Sequence, residues 1–227
     1  MSVVLDNLDL VVRAFTYTVL LFLIAGVLSL VIGTILAAMR VGPIAVLSKA
    51  AAVYVTLVRN TPLLIVLIFF RIAGPKVGIN FSFVDIVIGE IRLNDIFAAC
   101  VVGLTVYTSA FVCEAIRSGV NAVPLGQAEA ARAIGLPFAG AMREVVLPQA
   151  FRATVPPLAS VQIALLKNTT VAGALGVFEA FIRMKGLTND APGDRLGIFL
   201  SFALVFVVLV ELVSFVANRI ERRWRVA

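Results

Sequence analysis

Apolar runs close to the length of a membrane-spanning helix recur along this chain, and they decide most of what it can fold into. A run of ~20 such residues crosses the ~30 Å hydrocarbon layer as a helix, because a helix satisfies its own backbone groups where water is absent. Five spans are expected: Ala14 to Met39, Ala50 to Phe70, Ile96 to Ile116, ~20 residues from Ala153, and Leu196 to Ala217. With 61% hydrophobic residues and a mean hydropathy of +1.07, a 227-residue chain has too few polar groups to coat a water-facing globule. The fold class is therefore all-α integral membrane, a single domain over 1–227. The start, "MSVVLDNLDLVVRAF", carries Asp6 and Asp9 without a basic leader or a small-residue cleavage site, so the first run is expected to stay in the mature protein.

Each span has its own irregularity. Gly26 and Gly33 in the first would let a neighbouring helix approach closely. The second is interrupted by "VRNTP", which puts Arg59, Asn60 and Thr61 ahead of Pro62 near bilayer depth. Arg59 either faces a water-filled path or pairs with a carboxylate of a neighbouring segment. The third ends in "CEAIRSG", where Glu114 stands one turn before Arg117 and is expected to pair with it. The fourth contains Pro156 and Pro157 and leads into "LLKNTT", where Lys167, with Thr169, lines the path or satisfies the backbone near a helix end. Residues 171–182 are too few to cross alone and form a re-entrant or interfacial helix, or the tail of a fourth span that starts after Ala153. Glu211 is an isolated carboxylate in the last span, with an interhelical hydrogen bond as the simplest reading.

The net charge of +6 is spread between apolar runs rather than gathered on one face, which marks membrane-flanking anchors and implies no nucleic acid. Lysines and arginines are more frequent in segments 40–49, 117–152 and the tail from 218 than in the intervening ones, so the N-terminus is placed outside and the C-terminus in the cytoplasm. The tail "NRIERRWRVA", with Trp224, is expected to anchor on membrane lipid. The chain has no histidine, and Cys100 and Cys113 fall 13 residues apart on opposite sides of one helix. No metal site, disulfide or catalytic residue is expected, and no G-x-x-x-x-G-K-S/T segment exists to bind ATP.

The polar stretch of about residues 126–152, "GQAEAARAIGLPFAGAMREVVLPQAFR", breaks this pattern. "QAEAARAI" is a short helix with Glu129 and Arg132 at i, i+3, ended by Gly135. Pro137 opens a second helix, in which Phe138, Met142 and Val145 form an apolar face and Pro148 is expected to stop the helix. Such a helix–turn–helix either lies on headgroups or offers an apolar knob to another protein.

The spacing of Glu129, Ala130, Ala131, Gly135, Val145, Leu147 and Pro148 resembles the EAA loop of ATP-binding-cassette (ABC) import permeases. "VRNTPLLIVLIFF", "LPQAFR" and "LLKNTT" resemble other segments of the polar amino acid branch, and the matching segments run from about Tyr54 to Glu179. Ser109, Ala110 and Phe111 ahead of Glu114, Asn60, and Thr170 depart from that branch's common residues. The combination of "YTSAFVCEAIRSG" and "KNTT" is most similar to the glutamate-uptake permeases of actinobacteria. The resemblance implies five transmembrane helices of the type I ABC importer (MetI-like) permease fold with a cytoplasmic coupling helix. Glu129, Ala130, Ala131, Gly135, Pro137, Phe138 and Met142 would then contact an ATPase dimer, and Arg59, Asn60, Thr61, Lys167 and Thr169 would belong to the substrate pathway. It further implies a second permease chain, related or identical, an external substrate-binding protein, a bacterial cell membrane location, and ATP and Mg held by the partner subunits alone. Import of aspartate, glutamine or a basic amino acid is the alternative within the family. An ion-driven secondary transporter using Glu114 or Glu211, or a scaffold subunit, is the alternative outside it, although no repeat of "RNTP" or of the central loop is present.

Overall fold

The computed structural model describes residues 2–224; Arg225 to Ala227 and the side chains of Arg223 and Trp224, part of the expected anchor, lie outside the described residues. A short α1 (Ser2–Asp6) leads into α2 (Leu8–Val41), then α3 (Ala45–Arg59) and α4 (Leu63–Ile68), which continues through a π turn (Phe69–Ala73) and a 3-10 turn (Gly74–Val77). A hairpin of β1 (Ile86–Ile88) and β2 (Ile91–Leu93) precedes α5 (Asp95–Asn121). Then come α6 (Leu125–Ala133), α7 (Phe138–Ala141), a π turn (Met142–Val146), α8 (Leu147–Asn168), a 3-10 run (Thr169–Leu175), α9 (Ala180–Asp190) and α10 (Arg195–Trp224). Four helical stretches are long and apolar enough to cross a membrane, and the bent pair of α3 with α4 makes a fifth.

The second span is not one helix from Ala50 to Phe70. It starts at Ala45 and turns by 104° across Asn60, Thr61 and Pro62, since Pro62 has no N–H for the ladder and disfavours helix at the residue before it.

The fourth span also differs from expectation. Pro148 does not stop the helix, which runs on from Phe138 to Leu175. A π turn ends just before Pro148, with the Leu147 N–H bonded to the Met142 carbonyl, and the widened turn takes up the proline ring. Within and beyond the turn Val146, Ala150 and Thr154 are buried and Met142 and Val145 are half-buried, while ahead of it Ala141 is buried and Phe138 exposed. Residues 171–182 divide: the 3-10 run is the tail of the fourth span, and Gly176, in the left-handed region, turns the chain into α9.

Helix α2 packs along α5, and α5 along α8. Tyr17, Leu21, Leu67, Phe97, Leu104 and Leu165 form the main core. Gly26 and Gly33 do allow close approach: a Cβ on Gly33 would meet the Ser109 carbonyl at 2.8 Å. Cys100 and Cys113 are buried and unbridged.

The hairpin is a small β element within an otherwise helical chain. Gly89, at φ 60, supplies its two-residue turn. The Tyr17 hydroxyl accepts from the Arg92 N–H at 2.8 Å and lies 3.1 Å from the Arg92 carbonyl, fixing the hairpin to the start of α2. On its exposed surface Arg92 donates to both Asp85 oxygens at 2.7 and 2.9 Å, holding that carboxyl below its usual pKa. Thus the α2 start, the hairpin and the start of α5 share one end of the bundle, whereas Arg40, Arg117 and the polar loop share the other.

Candidate functional site: a polar loop and an arginine cluster at one end of the bundle

The loop that interrupts the apolar runs is built as its residues dictate. Helix α6 ends in a Schellman arrangement: the Gly135 N–H bonds the Arg132 carbonyl at 2.9 Å and the Leu136 N–H bonds the Ala131 carbonyl at 3.1 Å. Gly135 sits at φ +93, which only glycine adopts without strain, and Pro137 caps the next helix. Ala131 and Ala141 are buried, with α6 packed on α7 and the π turn, while Glu129, Ala130 and Pro137 face outward and Met142 is half-buried. Leu125, Ile134 and Phe138 are 80%, 81% and 61% exposed, a concentration of apolar surface on an otherwise polar loop. Of the apolar face expected at Phe138, Met142 and Val145, Phe138 is exposed and Met142 and Val145 are half-buried.

Behind the loop, Glu114 on α5 gathers three arginines from three helices. Arg117 donates to it at 2.9 Å, as the i, i+3 spacing suggested, and Arg40 at the end of α2 donates at 3.1 Å. Arg59 ends α3 and reaches the same carboxylate at 3.7 Å, with its guanidinium 5.5 Å from the centre of the Phe111 ring. Both readings of Arg59 therefore meet in one place: it has a carboxylate partner, and it lines an open cavity of about 340 Å³ with Asn60, Thr56 and Arg40. The cluster stands seven residues before the end of α5, roughly 10 Å from that helix end.

Lys167 does not join this cluster. It lies beside a separate, mainly apolar cavity of about 510 Å³ between α8, α9 and α10, which Glu211 also lines. Lys167 and Arg59 thus line separate cavities, the first among α8, α9 and α10 and the second among α2, α3 and α5. The Thr61 and Thr169 hydroxyls donate to the Leu57 and Leu166 carbonyls at 2.8 and 2.7 Å, and Thr169 is fully buried. The Thr170 hydroxyl donates to the Lys167 carbonyl at 2.8 Å, so threonines, not the lysine ammonium, serve the backbone where α8 tightens.

Two groups were not singled out in the sequence. Arg40 carried no signal beyond its position at a span end. Glu179 is fully buried and accepts from the Phe181 and Ile182 N–H groups at 2.8 Å each, an N-cap of α9 that a glutamate ahead of a short helix could have suggested.

Residues 11–226 match the family model of the binding-protein-dependent transport system inner membrane component. The glutamate transport system permease protein GluC of Corynebacterium efficiens is 40% identical over 86% of this chain and 86% of its own. The "Probable glutamine ABC transporter permease protein GlnM" of Bacillus subtilis is 32% identical over 98% of this chain and 96% of its own. A crystal structure of an amino acid ABC transporter with histidines superposes with a TM-score of 0.81 at 26% identity, covering 96% of each chain. The inward-facing MetNI methionine ABC transporter shares the fold, with a TM-score of 0.72 at 22% identity over 97% of this chain and 99% of that one.

Proposed function

Because this chain belongs to the family of binding-protein-dependent transport system inner membrane components, we propose that it forms half of the translocation pathway of an ATP-driven importer whose solute is glutamate. As a multi-pass membrane subunit of that family it is a transport component and works with ATPase and permease partners. The observation that carries the coupling role is the loop at 125–146, rigidly turned at Gly135 and presenting Ile134 and Phe138 to the solvent. An apolar tip held on a fixed backbone fits a cleft in an ATPase better than it fits water. ATP and its magnesium ion would be held by that ATPase, a second permease chain would close the pathway, and an external binding protein would deliver the solute. Support for glutamate comes from the relative named for glutamate transport together with the "YTSAFVCEAIRSG" and "KNTT" segments. Glutamine, the substrate class in the name of another relative, is the competing choice.

Uptake by the reconstituted complex tests this reading. Labelled glutamate should enter proteoliposomes only with ATP on the ATPase side, and excess unlabelled glutamate should abolish entry while arginine does not. Entry driven by an ion gradient without ATP, or blocked by glutamine but not by glutamate, would overturn it.

The loop end of the bundle is assigned to the cytoplasm. A cysteine at Ala139 should then be labelled by a membrane-impermeant reagent only from the ATPase side, and one at Gly78, exposed beside the hairpin, only from the opposite side. The reverse pattern would invert the orientation and remove the coupling assignment.

A further inference from the structure

We propose that the cavity lined by Arg40 and Arg59 is a carboxylate site for the transported acidic amino acid, and that Glu114, which Arg117 also holds, occupies its place when the site is empty. This rests on the importer reading above and adds a residue-level address to it.

The first reason is charge. Three guanidiniums share the Glu114 carboxylate, and Arg40 and Arg59 line the cavity with it, so among the described residues the cavity wall carries one positive charge in excess and the whole cluster two. Surplus charge at the depth of a membrane span is costly unless water or a counter-ion reaches it. The second reason is geometry. Arg40 and Arg117 donate hydrogen bonds to Glu114, whereas Arg59 approaches it only at 3.7 Å and is 45% exposed. A guanidinium carries five donors in a planar fork suited to a carboxylate. Its plane is already steadied by the Phe111 ring, and Thr56 and Asn60 add polar lining. The third reason is size: about 340 Å³ lies at the small end of the range for ligand pockets, enough for a free amino acid. In this arrangement Arg59 exchanges its loose contact with Glu114 for a paired contact with the solute, and like-charge repulsion from Glu114 later helps the solute leave. A phosphate offers the same oxyanion chemistry, from solution or from a lipid headgroup, so the test separates those sources.

The test is equilibrium binding of labelled L-glutamate to the complete transporter in nanodiscs of zwitterionic lipid, without ATP and without binding protein. Wild type should bind saturably. Arg59→Gln should weaken binding at least about tenfold, the worth of one charge-assisted pair, and Arg59→Lys should fall between the two. Glu114→Gln should tighten binding by a factor of several, since it removes the competing carboxylate while keeping an acceptor. That opposite sign is the signature, because a purely structural cluster would weaken in both variants. No saturable binding in wild type, unchanged binding in Arg59→Gln, or weakening in Glu114→Gln would overturn the proposal. So would displacement of the label by inorganic phosphate or by phosphatidylglycerol in the nanodisc as readily as by unlabelled glutamate. If ATP-driven uptake persists through any of these outcomes, the importer reading stands while the site falls; if uptake itself needs no ATP, the importer reading falls on its own.

Discussion

Gly135→Val is expected to abolish most transport, by at least about tenfold, while the subunit still inserts and folds. At φ +93 a side chain bearing Cβ costs about 1–2 kcal/mol, and a β-branched one more, so the loop escapes by moving Gly135 out of the left-handed region. That movement breaks the two Schellman bonds to Arg132 and Ala131 and swings Ile134 and Phe138 out of register. Nothing lies within 4 Å of a Cβ built at Gly135, so the effect is purely conformational and leaves the packing of the spans untouched. Gly126, on the same loop, also has open space around it but keeps an ordinary helical conformation. Gly126→Ala should therefore transport normally, and Gly135→Ala should be impaired less than Gly135→Val. The measurements are uptake and ATPase stimulation, each normalised to inserted protein. Normal values for Gly135→Val would remove the coupling role from this loop.

The fold was legible where one signal dominated. Apolar runs placed five spans, and the alanine-rich α6 with Gly135 behind it was readable because glycine is the one residue that takes that turn freely. The errors arose where two signals competed. Pro148 reads as a helix stop, but a π turn absorbed it, and nothing in "MREVVLP" announces a widened turn. Of the apolar face drawn through Phe138, Met142 and Val145, Phe138 is exposed, and Met142 and Val145, both within the turn, are half-buried. The hairpin was overlooked because "IVIGEIRL" is short and lies among apolar spans, although its Gly–Glu pair between alternating residues is a hairpin signal. At the site, the Glu114–Arg117 pair followed from helix spacing alone. Arg40 and Arg59 joining it did not, because those contacts link residues 74 and 55 positions away through helix packing. The same limit hides from the sequence that Arg59 and Lys167 line different cavities.

That packing supplies the second large effect. Gly33→Leu should destabilise the subunit more than any single change on the loop, because α2 has no room at that point. A Cβ on Gly33 would overlap Val112 and stand 2.8 Å from the Ser109 carbonyl, a backbone atom of α5 that cannot swing aside. Overpacking a close helix contact costs about 1–3 kcal/mol and sometimes more, and here the remedy is to push α2 and α5 apart. Arg40 lies two turns further along α2 and donates to Glu114 on α5, so separation at Gly33 would also stretch the 3.1 Å contact that ties the arginine cluster together. Three glycines give a graded series. At Gly26 the nearest atom to an added Cβ is Gln162 Oε1 at 2.9 Å, the far end of a flexible side chain that can rotate away. At Gly126 there is no neighbour within 4 Å. Alanine at Gly33, Gly26 and Gly126 should therefore lower the denaturation midpoint in detergent in that order, with Gly126→Ala near wild type and Gly33→Leu below all of them. Equal midpoints for Gly33→Leu and Gly126→Ala would mean that α2 and α5 do not meet at Gly33, and the arginine cluster would lose the helix packing that assembles it.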